Sequence, residues 1–225
     1  MIKAIVCDIE GTTTSLSFVK DTLFPYARRR MADFVKQNQR DPEITAILGG
    51  VKREMQRPDA TLEDVIAQLV TWIDADKKIT PLKAIQGHIW RSGYQNGDYH
   101  GHVYPDAYEK LKDWHESGIA LYLFSSGSVY AQKLLFAHTE YGDLTPLFRG
   151  YFDTTVGAKI HPASYAAIVG QIGFPAPEIA FLSDIEKELD AAKSAGLSTV
   201  WLVREGNLTP GSQHPQVTNF YDIAI

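Results

Sequence analysis

The chain has 225 residues, 44% of them hydrophobic and 22% charged, a balance that excludes a disordered or fibrous protein. At about 150 residues per domain, this length allows one large domain or one domain carrying a sizeable insertion. The net charge of −5, with Lys and Arg scattered rather than striped, excludes the electrostatic footprint of a nucleic-acid binder.

The first apolar run, residues 3–7, reads as a strand containing the single cysteine, Cys7. One cysteine cannot form an internal disulfide, so a buried, inert thiol in a reducing compartment is expected. Asp8 and Glu10 follow at once, and no 18 uncharged apolar residues run together. The expectation is therefore a cytoplasmic protein without a membrane partner.

Residues 16–101 show no convincing strand and read as consecutive helices. Asp41-Pro42, Thr61 with Asp64, and Thr80-Pro81 are start signals. Val65, Ile66, Leu69, Val70 and Ile73 share one helical face. Beyond residue 101, apolar runs at 119–124, 151–156, 179–182 and 199–203 read as strands. They alternate with helices at 105–117, 163–172 and 186–195, ended by Gly118, Gly173 and Gly196. The fold class expected is α/β: a parallel, Rossmann-like sheet with helices on both faces, formed by residues 1–15 and 102–225, plus an all-helical cap, 16–101, inserted after strand one. An insertion there leaves the ligand-binding end of an open sheet and can serve as a lid, with 11–17 and 93–101 as hinge segments.

Chemistry concentrates at the strand ends. In extended backbone residues i and i+2 point the same way, so Asp8 and Glu10 are presented together. Two such carboxylates repel, and a divalent cation relieves the repulsion. Mg²⁺ takes oxygen ligands, commonly one or two carboxylates plus substrate phosphate. Asp184 ends another apolar run, with Glu188 four residues on. Ser125-Ser126-Gly127-Ser128 follows a third strand and opens a helix, offering hydroxyls and N–H groups to an anion. Lys159 follows a fourth and supplies a positive charge that would hold a neighbouring carboxylate ionised and offset the charge of a bound anion. Taken singly, these are ordinary caps, turns and surface groups. Their succession, each at the end of a predicted parallel strand, is what points to a site.

This order of Asp-x-Glu-Gly-Thr, strand-Ser, Lys and strand-Asp resembles the four motifs of the haloacid dehalogenase-type phosphatases. Most members carry Asp-x-Asp first. The departure at Glu10, with Asp8-Ile-Glu-Gly-Thr-Thr-Thr14, Phe18-Val-Lys-Asp21, Leu23-Phe-Pro-Tyr26, Gln86-Gly-His-Ile-Trp-Arg91 and Ser125-Ser-Gly-Ser-Val129 with Ala131-Gln-Lys-Leu-Leu-Phe136, is similar to the enolase-phosphatase (acireductone synthase) family of methionine salvage. That resemblance implies enolisation and dephosphorylation of 2,3-diketo-5-methylthiopentyl 1-phosphate, with one Mg²⁺ per chain. It makes Asp8 the nucleophile and a metal ligand, Glu10 a ligand through its carbonyl and the acid-base through its side chain, and Asp184 the remaining ligand. Ser125, Ser126 and Lys159 would bind phosphate, and Glu188 would orient the site or a metal-bound water.

For the enolisation base both Glu10 and His88 stand open, although His88 lies among Ile85, Ile89 and Trp90 and reads more readily as packed. Trp72, Trp90 and Tyr94 fit a pocket for the methylthio tail or, more commonly at such spacing, a core. The other six histidines lack metal-ligand spacing. The rival function is a phosphatase of the same fold acting on another small phosphate ester. A silent binding domain would be expected to lack Asp8, Lys159 or Asp184, and no Gly-x-Gly-x-x-Gly supports a dinucleotide site. The absence of a long heptad pattern reads as a monomer.

Overall fold

The computed structural model describes residues 1–225. The chain divides into two compact units, Met1–Leu16 with His100–Ile225, and Ser17–Tyr99. No helix is long and apolar enough to cross a membrane.

The first unit holds a six-stranded, all-parallel sheet. In chain order its strands are β1 (Ala4–Cys7), β2 (Ala120–Phe124), β3 (Phe148–Phe152), β4 (Ile179–Ser183), β5 (Ser198–Leu202) and β6 (Gln216–Val217), arranged β3-β2-β1-β4-β5-β6. Every residue of β1 is buried, as a central parallel strand covered on both faces requires. Ala4 and Val6 pack with Tyr165, Ile168, Leu189 and Ala192, while Ile5 and Cys7 alternate to the opposite face. Cys7 is fully buried, and desolvation pushes its thiol pKa up, with the Asp8 charge adding to the shift. The chain winds outward from β1 to β3, then returns to start again at β4 on the other side. That reversal opens a crevice beyond the C-terminal ends of β1 and β4.

The second unit consists of a short π-helical segment (Phe18–Leu23) and four helices, α1 (Phe24–Asn38), α2 (Pro42–Glu54), α3 (Leu62–Asp74) and α4 (Thr80–Asn96). Met31, Val35, Leu48, Val65, Leu69, Leu82 and Ile85 build its core. Asp41 caps α2 through the N–H groups of Glu43 and Ile44, and Thr61 with Asp64 closes a capping box on α3. Thr80 is not a cap: the N-cap of α4 is Ile79, with no side-chain bond. Here Pro81, which needs no N–H partner, starts the helix alone. On α3 the buried face includes Trp72, and Val70 is only half-buried.

The remaining helices, α5 (Pro105–Glu116), α6 (Val129–Ala137), α7 (Pro162–Ile172) and α8 (Glu186–Ser194), belong to the sheet unit. The third strand lies earlier than its sequence suggested, at 148–152 rather than 151–156. Asp153 ends it by accepting hydrogen bonds from the Thr155 N–H and hydroxyl at 2.9 and 2.6 Å, a side-chain turn that β-favouring Thr-Thr-Val concealed. The start was hidden by Gly150, a poor strand former. Its missing Cβ makes room for Tyr122, whose ring carbon would lie 3.0 Å away. The two-residue β6 carries no apolar run and gave no signal.

Candidate active site

The β1 strand delivers Asp8 to the crevice. The register Cys7 to Leu182, continued by the Asp8 N–H donating to Leu182 O at 2.8 Å, sets Asp8 beside the end of β4. Its Oδ1 accepts the Ile9 N–H at 2.7 Å and the Lys159 ammonium at 2.5 Å. The same Lys159 Nζ lies 2.7 Å from Glu188 Oε2. Ser183 Oγ donates to Glu188 Oε2 at 2.9 Å and lies 3.5 Å from Asp8 Oδ2. One buried ammonium is thus shared by two buried carboxylates.

Lys159 comes from the loop between β3 and α7, and helix α7 fixes that loop. Tyr165 donates its hydroxyl to Lys159 O, and Ser164 donates to Ala158 O, both at 2.7 Å. The loop can pass so close only because Gly157, at φ +128°, has no Cβ to meet Ser164. Burial works to lower the Lys159 pKa, but the charges of Asp8 and Glu188 and their hydrogen bonds outweigh it and leave it raised. Glu188 is raised too, by burial first and then by Asp8, with Lys159 opposing.

Asp184 is set by the loop that follows Asp8. Thr12, Thr13 and Thr14 all donate their N–H to Ile9 O, folding residues 9–14 into a tight turn. Thr12 Oγ1 accepts the Asp184 N–H at 3.0 Å, and Trp201 Nε1 donates to Asp184 O at 2.9 Å. A Cβ on Gly11, at φ +79°, would collide with the Asp184 carboxylate. Burial and then the Asp8 charge push the Asp184 pKa up to about 7, and its buried Oδ1 accepts no hydrogen bond.

That orphaned oxygen and the repelling carboxylates fit a hard cation with oxygen ligands. No three His, Cys, Asp or Glu side chains cluster as a metal cage. For Mg²⁺, which commonly uses one or two carboxylates and keeps waters, two acids and a backbone carbonyl suffice. Glu10 is half-buried, in the same turn, and bridges to Thr14.

Ser125 is buried where β2 ends; its N–H donates to Phe152 O at 3.2 Å, and its hydroxyl accepts the Gly127 N–H at 3.0 Å. Ser126 is exposed, and Ser128 caps α6 through the Ala131 N–H. The structure therefore brings Asp8, Lys159, Glu188 and Asp184 into one cluster, with Ser125 at the adjoining strand end. His88 and the aromatic trio stay within the helical unit. His88 stacks on Phe34 with its Nε2 3.5 Å from Glu43 Oε1. Trp72 belongs to the core, Trp90 donates to Leu23 O, and Tyr94 packs edge-on against Tyr99.

Sequence reasoning missed Thr12, Ser183, Trp201 and Arg204. Arg204 donates to Thr12 O through Nε and Nη2. Two unassigned histidines also have partners: His102 Nδ1 accepts the Ser15 N–H and contacts Thr14 Oγ1, and His214 is buried between Thr199 and Asp190.

A family model described as haloacid dehalogenase-like hydrolase matches residues 2–196. The chain is 61% identical over 220 residues to the protein named Enolase-phosphatase E1 of Methylococcus capsulatus, covering 98% of this chain and 96% of that one. A protein of the same name from Pseudomonas aeruginosa strain UCBPP-PA14 is 54% identical over 224 residues, covering 100% and 99%. Among solved structures, the UTR4 protein of Saccharomyces cerevisiae matches with a TM-score of 0.84 and 33% identity, covering 99% of this chain and all of that one.

Proposed function

The chain belongs to the haloacid dehalogenase-like hydrolases, and from its likeness to particular members of that family we propose that it is an enolase-phosphatase. Its reaction converts 2,3-diketo-5-methylthiopentyl 1-phosphate to the acireductone 1,2-dihydroxy-3-keto-5-methylthiopentene and phosphate, a step of methionine salvage. The observation that carries this reading is the whole-chain identity to proteins named Enolase-phosphatase E1.

In this reading Asp8 attacks phosphorus, the ester P–O bond breaks, and an aspartyl-phosphate forms. Glu10 protonates the leaving oxygen and then takes a proton from the water that hydrolyses the intermediate. Glu10 also serves as the enolisation base. It sits in the nucleophile's own turn, whereas the His88 Nε2 faces Glu43. Lys159 offsets phosphate charge while remaining paired with Asp8 and Glu188. Ser125 and Ser126 receive the phosphate oxygens through their hydroxyls, while the Val129 and Ala131 N–H groups at the start of α6 stay engaged by Asp153 and Ser128. Asp8, Asp184 and the Glu10 carbonyl would hold one Mg²⁺, which would supply charge neutralisation for the phosphoryl group. The same reading makes the enzyme a cytoplasmic monomer acting on a small molecule.

The test is to incubate the purified protein with the diketo phosphate, with Mg²⁺ or with EDTA, and follow enediol absorbance alongside phosphate release. Metal-dependent appearance of both is expected. Metal-dependent phosphate from other esters without any enediol would reassign the chain to a general small-ester phosphatase.

A further inference from the structure

We infer that Arg204 is a positioning residue for the metal-ligand pair, acting through the backbone of the turn that follows the nucleophile. The inference rests on the reading of Asp8 and Asp184 as Mg²⁺ ligands. Arg204 touches neither carboxylate. Its Nη2 and Nε both donate to the Thr12 carbonyl, at 2.8 and 3.1 Å, and Nη1 donates to Asp106 Oδ2 at 2.6 Å.

The assembly is built to hold that fork still. Asp106 Oδ2 also accepts the Phe220 N–H at 2.6 Å. The guanidinium lies 4.1 Å from the Tyr104 ring centroid and 5.1 Å from that of Phe220. The Tyr104 N–H in turn donates to Thr13 O at 3.0 Å. Arg204 and Asp106 side chains are only 11% and 10% exposed. A planar, doubly donating cation fixes one carbonyl direction in a way a lysine cannot.

The direction matters because of the other end of Thr12. With its carbonyl pinned by Arg204, the fully buried Thr12 turns its hydroxyl to the Asp184 N–H. Gly11, its neighbour, abuts the Asp184 carboxylate. The fork at Arg204 thereby sets how the Asp8 turn meets Asp184, and so the spacing of the two acids. Groups that orient metal ligands without touching the metal typically change metal affinity or activity by about 10–100-fold when altered.

The test is calorimetric Mg²⁺ titration of the resting, full-length protein, without substrate, for the wild type, Arg204→Lys and Asp106→Asn, with circular dichroism and melting temperature recorded for each. Arg204→Lys should weaken Mg²⁺ binding by about tenfold and lower kcat while leaving KM within about twofold. Asp106→Asn keeps an acceptor for Nη1, so the fork stays on the Thr12 carbonyl; it should lose melting temperature and weaken Mg²⁺ binding clearly less than Arg204→Lys does. A folded Arg204→Lys protein with wild-type Mg²⁺ affinity would overturn the assignment, as would equal affinity losses in both variants, which mark a general structural role. A wild-type chain that takes up no Mg²⁺ would overturn the metal-site reading itself, and this inference with it.

Discussion

Asp184 carries opposite consequences for stability and for chemistry. Its carboxyl is pushed from an ordinary 3.8 to about 7 by burial and by Asp8. Between those values the folded, metal-free chain holds a proton that the unfolded chain has released. Stability therefore falls as pH rises through that window, by on the order of 2 kcal/mol after allowance for partial solvent screening. Asp184→Asn has no such proton to lose. In EDTA its melting temperature should exceed that of the wild type near pH 8 and not near pH 5, while Mg²⁺-dependent turnover disappears. A variant less stable than the wild type near pH 8 would refute the account of repulsion. Asp8→Asn should likewise abolish phosphate release with the fold intact, and substantial residual turnover would refute the nucleophile. Asp8 and Asp184 were legible because each stands at the end of an apolar run, a local signal, and Glu188 follows Asp184 by four residues; Lys159 lies in the loop beyond β3 and was legible from the order of the motifs. Ser183 was not, since a small hydroxyl residue announces nothing until its partner is known, and Thr12, although part of the Asp-x-Glu-Gly-Thr run, gave no sign of its bond to the Asp184 N–H. Arg204 reaches Thr12 across 192 positions of sequence, a separation no spacing rule spans.

At the scale of elements, the loop from β3 to α7 is where sequence reading was weakest and the site most dependent. Thr and Val favour strands and point to a third strand at 151–156, whereas Asp153 bonds to Thr155 and accepts the Val129 N–H at the start of α6. The loop that then carries Lys159 is shaped by one glycine. Gly157→Ala would force a Cβ into Ser164 at a backbone angle that L residues rarely adopt, at a cost of about 1–3 kcal/mol. The loop would yield before the sheet does. The expected result is a fall of at least tenfold in kcat with circular dichroism unchanged, since a displacement of about 1 Å in a reacting group can cost 10²-fold. Wild-type kcat in this variant would show that the loop's path is irrelevant to Lys159. The turn after β1 has its own pH sensitivity. His102 Nδ1 accepts from Ser15 N–H and so must be unprotonated there. Burial lowers the His102 pKa, Arg204 adds to the effect and Glu140 opposes it. A lowered histidine pKa means that its contribution is present above the ordinary histidine range and lost as pH falls through it. The drop in melting temperature on acidification should be smaller in His102→Asn than in the wild type.

On the scale of the whole molecule, the sequence separated cleanly into a helical stretch and an alternating one because the two periodicities differ, and each unit has a core of its own. In the proposed site, a cation bound by Asp8, Asp184 and the Glu10 carbonyl would tie the β1 turn to the β4 end, both in the sheet unit. By linkage, Mg²⁺ at about one hundred times its dissociation constant adds about 2.7 kcal/mol to the folded state. For a chain of this length that corresponds to a rise of roughly 5–10 °C in the transition of the unit holding the site. Hydrogen exchange locates the effect: amides of β1, β4 and residues 9–14 should gain protection when Mg²⁺ is added, whereas those of α1 to α4 should gain less, because only the former are cross-linked by the metal. In Asp184→Asn the gain should vanish while the metal-free pattern persists. Protection gained only within residues 17–99 would place the cation in the helical unit and remove Asp8 and Asp184 from its ligand set.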